Sequence, residues 1–127
     1  MNQTPPPGYP PPGPQGYPQP LAAEEERLWS MLSHLSFFIF GIIAPLIVML
    51  TLGTRSAFVR QQAVEALNFH ITVWIVGIVA GLSIFLIVGI ILLPAVLITA
   101  AVFAIIAAIQ SYQGVAYRYP ISIRLIT

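Results

Sequence analysis

Apolar residues run almost unbroken from Ala66 to Tyr117, and no Asp, Glu, Lys or Arg interrupts them. Built as helix, that stretch is roughly 78 Å long at ~1.5 Å per residue, and a bilayer core is ~30 Å thick. It is therefore long enough to cross a membrane twice with a turn between. The pattern predicts one span over about 66–88 and another over about 92–112. Gly89 marks the turn, and Pro94 falls in the first turn of the later helix, where a missing N–H is tolerated. The turn itself is apolar (Ile90 to Leu93), which is unusual for a loop that meets water.

A third apolar run precedes these two, over about 29–52, rich in Phe, Ile and Leu from Phe37 to Leu50. At roughly −0.3 to −0.6 kcal/mol per such residue it favours insertion by several kcal/mol. Pro45 removes one helix hydrogen bond and crowds the carbonyl of Gly41, which predicts a kink there, and Gly53 is a suitable stop. The expected architecture is an all-α membrane protein with three transmembrane helices in one domain, residues 21–127.

Between and around the spans the pattern changes. Residues 1–20 hold nine of the twelve prolines, with Gly8, Gly13 and Gly16 among them, and no large aliphatic residue. This reads as a disordered Pro/Gly/Tyr-rich tail with polyproline II character. Pro6-Pro7-Gly8-Tyr9 within it matches a pattern that aromatic grooves bind. A helix is expected from near Pro20 or Leu21, with Glu24, Glu25 and Glu26 opposing its positive end and Trp29 anchoring it at the interface. Thr54 to Glu65 reads as a watery connector. Beyond Gly114, Ile121, Ile123 and Leu125 alternate with Ser122 and Arg124, which predicts a short extended segment on the membrane surface.

Composition narrows the function more than it identifies it. Only 7% of residues are charged and 57% are hydrophobic, against about 25% charged in soluble domains. A net charge of +1 gives no reason to expect nucleic acid as a partner. With no Cys and no Lys there is no thiolate, Schiff base or Walker A loop. No cofactor, metal or catalytic set is read from the chain. The arginines set the expected topology: with three spans, Arg55, Arg60, Arg118 and Arg124 share one side and Arg27 the other. Positive-inside bias then puts the connector and C-terminal segment in the cytoplasm and the N-terminus outside.

Three groups of residues invite a functional reading. Gln61, Glu65, Asn68 and Thr72 are spaced to form one polar stripe entering the second span. It is either a hydrogen-bond cluster in which Glu65 meets Arg55, Arg60 or Arg118, or a polar vestibule for a substrate or partner. Gly77 and Gly81 form a GxxxG pattern, and Ala100, Ala104 and Ala108 repeat small residues on the next helix. These faces read as the seam between the two helices, with an oligomer contact as the alternative. His34 and His70 sit near the starts of spans expected to be antiparallel, so their depths should differ by roughly 20 Å, far beyond a shared zinc site.

Three stretches carry a resemblance: Trp29 to Ser36 (WSMLSHLS), Phe58 to Phe69 (FVRQQAVEALNF) and Tyr117 to Ile126 (YRYPISIRLI). Over about 28–127 the chain resembles the family of small bacterial membrane proteins that includes the magnetosome proteins MamF and MmsF. That family is also described as similar to the small Tic channel component of the chloroplast inner envelope. The resemblance implies a three-helix domain of the bacterial cytoplasmic membrane without known catalytic residues. The expected role is a non-enzymatic accessory or scaffold subunit, with the lipid bilayer, other membrane proteins or further copies of itself as partners. A Tic-like transport or channel component acting as an oligomer is the second reading.

Overall fold

The computed structural model describes Gly8, Gly16 and residues 18–127. The Pro-rich tail and its Pro6 to Tyr9 motif lie almost wholly outside the described residues. Among those described there are four α-helices and no strand: α1 (Ala23–Leu35), α2 (Ile43–Leu50), α3 (Ala57–Leu82) and α4 (Gly89–Tyr112). Short 3₁₀ turns occupy Ser36–Phe38, Leu52–Thr54 and Ser83–Leu86. Residues 115–127 form neither helix nor strand. Among the described residues, only α3 with its 3₁₀ extension and α4 are long and apolar enough to cross a membrane.

The run over 29–52 is thus not one span, and its break is not at Pro45. The Ser36 carbonyl collects the N–H groups of Ile39, Phe40 and Gly41 at 3.1, 2.9 and 2.7 Å, winding the chain into a tight turn. Gly41 completes it at φ +51°, a conformation that a side chain disfavours. Pro45 then falls in the first turn of α2, where its missing N–H leaves no bond unmade. The chain doubles back, so α1 and α2 form a half-depth hairpin against the upper part of α3.

The direction of α1 follows from its contacts. Glu26 accepts the Ser56 hydroxyl at 2.6 Å, His34 meets Gln62, and the Gly41 carbonyl meets His70. Positions on α1 and α3 therefore advance together: the two helices are parallel. Arg55 donates to the Gln19 carbonyl at 2.6 Å, so residues 19–26 lie beside the α2–α3 connection. This overturns the expectation that the early chain and the connector occupy opposite sides. Arg27 reaches Gly114, at the same end. All nine charged residues are consequently gathered at one end of the molecule.

Other boundaries also shift. The connector is short, because Ser56 caps α3 through Val59 N (3.1 Å) and Phe58 to Glu65 are already helical. Pro94 lies inside α4 rather than in its first turn, since α4 begins at Gly89. The first core cluster joins Leu21, Val48, Met49, Val59, Ala63 and Leu67. The second joins Phe69, Val73, Ala100, Ala104, Ala107 and Tyr119.

At the far end α3 and α4 meet in a closed turn. A Cβ placed on Gly89 would lie 2.2 Å from Ile84 N and 2.6 Å from the Ala80 carbonyl oxygen, so only glycine permits this approach. Ala80 is buried beside it. Gly77 and Gly81 are not part of the seam: a Cβ at either would meet nothing within 4 Å. Ala100, Ala104 and Ala108 are buried.

Candidate functional site

One turn of α3 after another presents a polar side chain to the same buried face, and the C-terminal segment is bonded along it. Gln62 Oε1 accepts from Tyr117 N at 3.2 Å, and Glu65 Oε1 from Tyr119 N at 2.7 Å. Thr72 Oγ1 accepts from Ile123 N at 2.8 Å. Asn68 does most: Oδ1 accepts from Leu125 N and Ile126 N at 3.0 and 2.8 Å, while Nδ2 donates to the Ile126 carbonyl at 2.8 Å. The order of partners along α3 traces a loop. The segment descends from Gln62 to Thr72, then rises through Asn68 to Thr127, whose carbonyl lies 3.4 Å from Arg60 Nη2.

Such a segment has no internal ladder for its backbone groups, and an unpaired group away from water costs several kcal/mol. The α3 side chains supply the missing partners. Residues 115–127 therefore do not lie on the membrane surface, and the alternation of side chains is reversed. Ile121, Ile123 and Leu125 are exposed, whereas Ser122 Oγ is buried and the Arg124 guanidinium reaches back to Glu65. Arg124 closes the loop by donating to Glu65 Oε1, the Tyr119 carbonyl and the Ser122 carbonyl at 3.2, 3.2 and 3.3 Å. Arg124, rather than Arg55, Arg60 or Arg118, is the ion-pair partner of Glu65.

The register of the stripe is shifted by one residue at its start. Gln61 is exposed; Gln62 is fully buried and takes its place. Gln62 Oε1 also accepts from Ser111 Oγ of α4 at 2.9 Å and meets His34 Nε2 of α1 at 3.1 Å. The Tyr117 N–H can only donate, which fixes the amide oxygen on this side, and Gln62 is then an acceptor for the other two. His34 therefore carries its proton on Nε2, and Nδ1, 2.9 Å away, accepts from the Tyr119 hydroxyl. One amide thus ties α1, α3, α4 and the C-terminal segment together.

Tyr119 is the apolar counterpart of this junction. Its ring stacks on Phe69 with centroids 3.7 Å apart and planes 3° apart, and meets Tyr117 edge-on at 5.0 Å. Burial, helped by Tyr117 and Glu65, holds the Tyr119 phenol proton well above the usual pKa of 10.0. The unfolded chain loses that proton near pH 10 while the folded one keeps it, so stability falls as pH rises above about 10. Thermal unfolding in detergent between pH 8 and 11 checks this: Tyr119→Phe should flatten the alkaline decline.

His70 is not far below His34, because α1 and α3 are parallel; the 20 Å separation expected for antiparallel spans does not apply. The two rings have separate partners, His70 Nδ1 donating to the Gly41 carbonyl at 3.0 Å. No three metal-ligating side chains cluster among the described residues. Two apolar clefts open beside the junction. One of about 270 Å³ lies between α3, α4 and Ile121; the other, about 410 Å³, lies beneath Gly41 between Trp74, Gly77 and Leu97.

Spacing puts Glu65, Asn68 and Thr72 on one face but does not tell what they bind. Nor does it reveal Ser111 and Tyr119 as parts of the same network. The signal was present in the tail, where Ser122 and Arg124 occupy the positions of one face and could bond inward.

Two apolar helices joined to a polar, internally bonded junction at one end define a small helical membrane protein. The chain belongs to the MamF/MmsF family, described as the magnetosome magnetite crystal formation protein family, whose model matches residues 25–126. Membership suggests a small membrane protein in magnetosome formation. No curated protein and no solved structure matches the chain.

Proposed function

We propose that this protein is a non-enzymatic accessory or scaffold subunit of a bacterial membrane assembly, acting in magnetosome formation. One observation carries the reading: Gly77 and Gly81 leave an open close-approach face on α3, where an added Cβ would meet no atom of this chain within 4 Å. In lipid, such a face lets a second helix backbone come near and gain van der Waals contact. The face takes a helix of another membrane subunit or of a second copy. The polar stripe, by contrast, is occupied by the chain's own C-terminal segment, which bonds Gln62, Glu65, Asn68 and Thr72 and so fills the vestibule that a channel reading requires.

The arginine-bearing end faces the cytoplasm by positive-inside bias, with residues 19–27 on that side and residues 115–127 entering the membrane from it. The two spanning helices sit in the cytoplasmic membrane with the apolar turn at their far end.

Crosslinking in native membranes tests the scaffold reading, using a photoreactive side chain at Ile78 and identification of the adduct by mass spectrometry. The unaltered glycine face should give one defined membrane-protein adduct or a homodimer. Gly77→Leu with Gly81→Leu should reduce that adduct about tenfold or more, as expected when ~1.4 kcal/mol of packing is lost. Adduct formation insensitive to both leucines, or no adduct at all, sinks the proposal.

A further inference from the structure

The molecule is built as a wedge, and the taper has a direction. Around Gln62 to Asn68, α3 is surrounded on all sides. α1 contributes His34 and the turn after it Phe37, α2 contributes Val48 and Met49, and α4 contributes Ser111 and Ala107, with Tyr119 to Ile126 filling the remaining side. The α1–α2 hairpin turns back at Gly41, whose added Cβ would lie 3.9 Å from Trp74 Nε1. The C-terminal loop bonds α3 no deeper than Thr72 and lines a cleft with Val76. Beyond Val76, among the described residues, only α3 and α4 continue.

A helix with side chains is ~10–12 Å across, so each occupies on the order of 100 Å² of membrane plane. The broad end therefore displaces more than ~400 Å², and the narrow end only ~200 Å². From Gln62 to Trp74 is ~18 Å of helix, and from Gln62 to Leu82 ~30 Å, which matches a full hydrocarbon core. The step in width thus falls near the bilayer midplane. Closure of Gly89 onto Ala80 holds the narrow end shut, and the buried network at Gln62 holds the broad end together. Charge points the same way: every charged residue is at the broad end, whereas the tip exposes Phe85, Leu86, Ile87 and Ile91 at 74–88%.

We infer that this protein prefers, and by mass action favours, membrane that is convex on the side of its charged end. A body that widens one leaflet more than the other is accommodated at lower elastic cost where that leaflet is already expanded. The partner is a strongly curved lipid bilayer. The inference rests on the two spanning helices and not on the glycine-face partner proposed above.

The test uses the full chain with Gln61→Cys, an exposed position in a chain without cysteine, labelled with a fluorophore. It is reconstituted into fluid phosphatidylcholine–phosphatidylglycerol vesicles at about one copy per vesicle, which removes self-association. Vesicles span diameters of about 30 to 400 nm, the range over which curvature sensing is read. Protein density per membrane area is measured on single vesicles, and a membrane-impermeant quencher reports which copies carry the label outside. Density should be about threefold higher on the smallest vesicles, a population shift of about 0.7 kcal/mol. Most labels there should be quenched, placing the broad end on the convex leaflet. Density independent of diameter overturns the inference, and so does a majority of unquenched labels on the smallest vesicles.

Discussion

Asn68→Leu should detach the C-terminal loop and lower stability by about 3 kcal/mol, roughly a hundredfold in the docked population. Asn68 supplies three of the bonds that hold the segment, to Leu125 N, Ile126 N and the Ile126 carbonyl. Leucine matches its size but offers neither donor nor acceptor. Each bond contributes a net ~0.5–1.5 kcal/mol, and backbone groups left unpaired below the interface add to the loss. Detachment also uncovers the Phe69 face now stacked on Tyr119. Limited carboxypeptidase digestion in detergent gives the direct readout: residues 121–127 become cleavable in the variant and resist in the parent. Gln61→Leu is the matched control. Gln61 is exposed, so the change should stay within about 0.5 kcal/mol. Equal protease resistance in Asn68→Leu would mean that something other than the α3 stripe holds the loop.

Gly89→Ala should open the α3–α4 turn at a cost of about 3 kcal/mol or more. The new Cβ would stand 2.2 Å from Ile84 N, 2.5 Å from the Ser83 carbonyl carbon and 2.6 Å from the Ala80 oxygen. All three are backbone atoms, so no side chain can swing aside, and the helix ends must separate. Alanine at Gly77 or Gly81 meets nothing within 4 Å. There it should be neutral, or stabilising by up to ~1 kcal/mol through helix propensity. Unfolding in mixed micelles of increasing dodecyl sulfate separates the cases. A single methyl group that destabilises at position 89 and is tolerated at 77 and 81 locates the seam. Similar losses at all three glycines would put the GxxxG face back between α3 and α4.

These two experiments probe the places where local sequence and tertiary structure part company. Periodicity favours Gln61, which falls almost on the line through Glu65, Asn68 and Thr72, over Gln62, which lies nearly a quarter turn away. The choice is made by His34, Ser111 and Tyr117, which come from three other segments and converge on Gln62. The glycines illustrate the same limit. GxxxG states that a close approach is possible on one face of α3, but which helix uses that face depends on the rotation of α3. That rotation is fixed by the packing of Phe69 and Val73 against α4 and Tyr119.

Counting Arg27 against the other four follows from three spans, and the run over 29–52 is long enough for a third. What length cannot reveal is that Ser36 gathers three successive N–H groups and turns the chain around. A continuous helix and a broken hairpin bury the same apolar residues in lipid. The hairpin prevails because it also places His34 against Gln62 and packs Val48 and Met49 onto α3.

By itself the sequence determined the solvent of this protein. An uncharged apolar stretch of that length satisfies its backbone in oil only as helix, so two membrane-competent helices and their turn follow from composition and period alone. Tertiary structure decided the rest: the half-depth return of α1 and α2, the gathering of every charge at one end, and the loop that 115–127 lays along α3. Hydrophobicity acts residue by residue and can be summed along a chain. A hydrogen bond needs a partner, and here the partners of Asn68 stand 57 and 58 residues away.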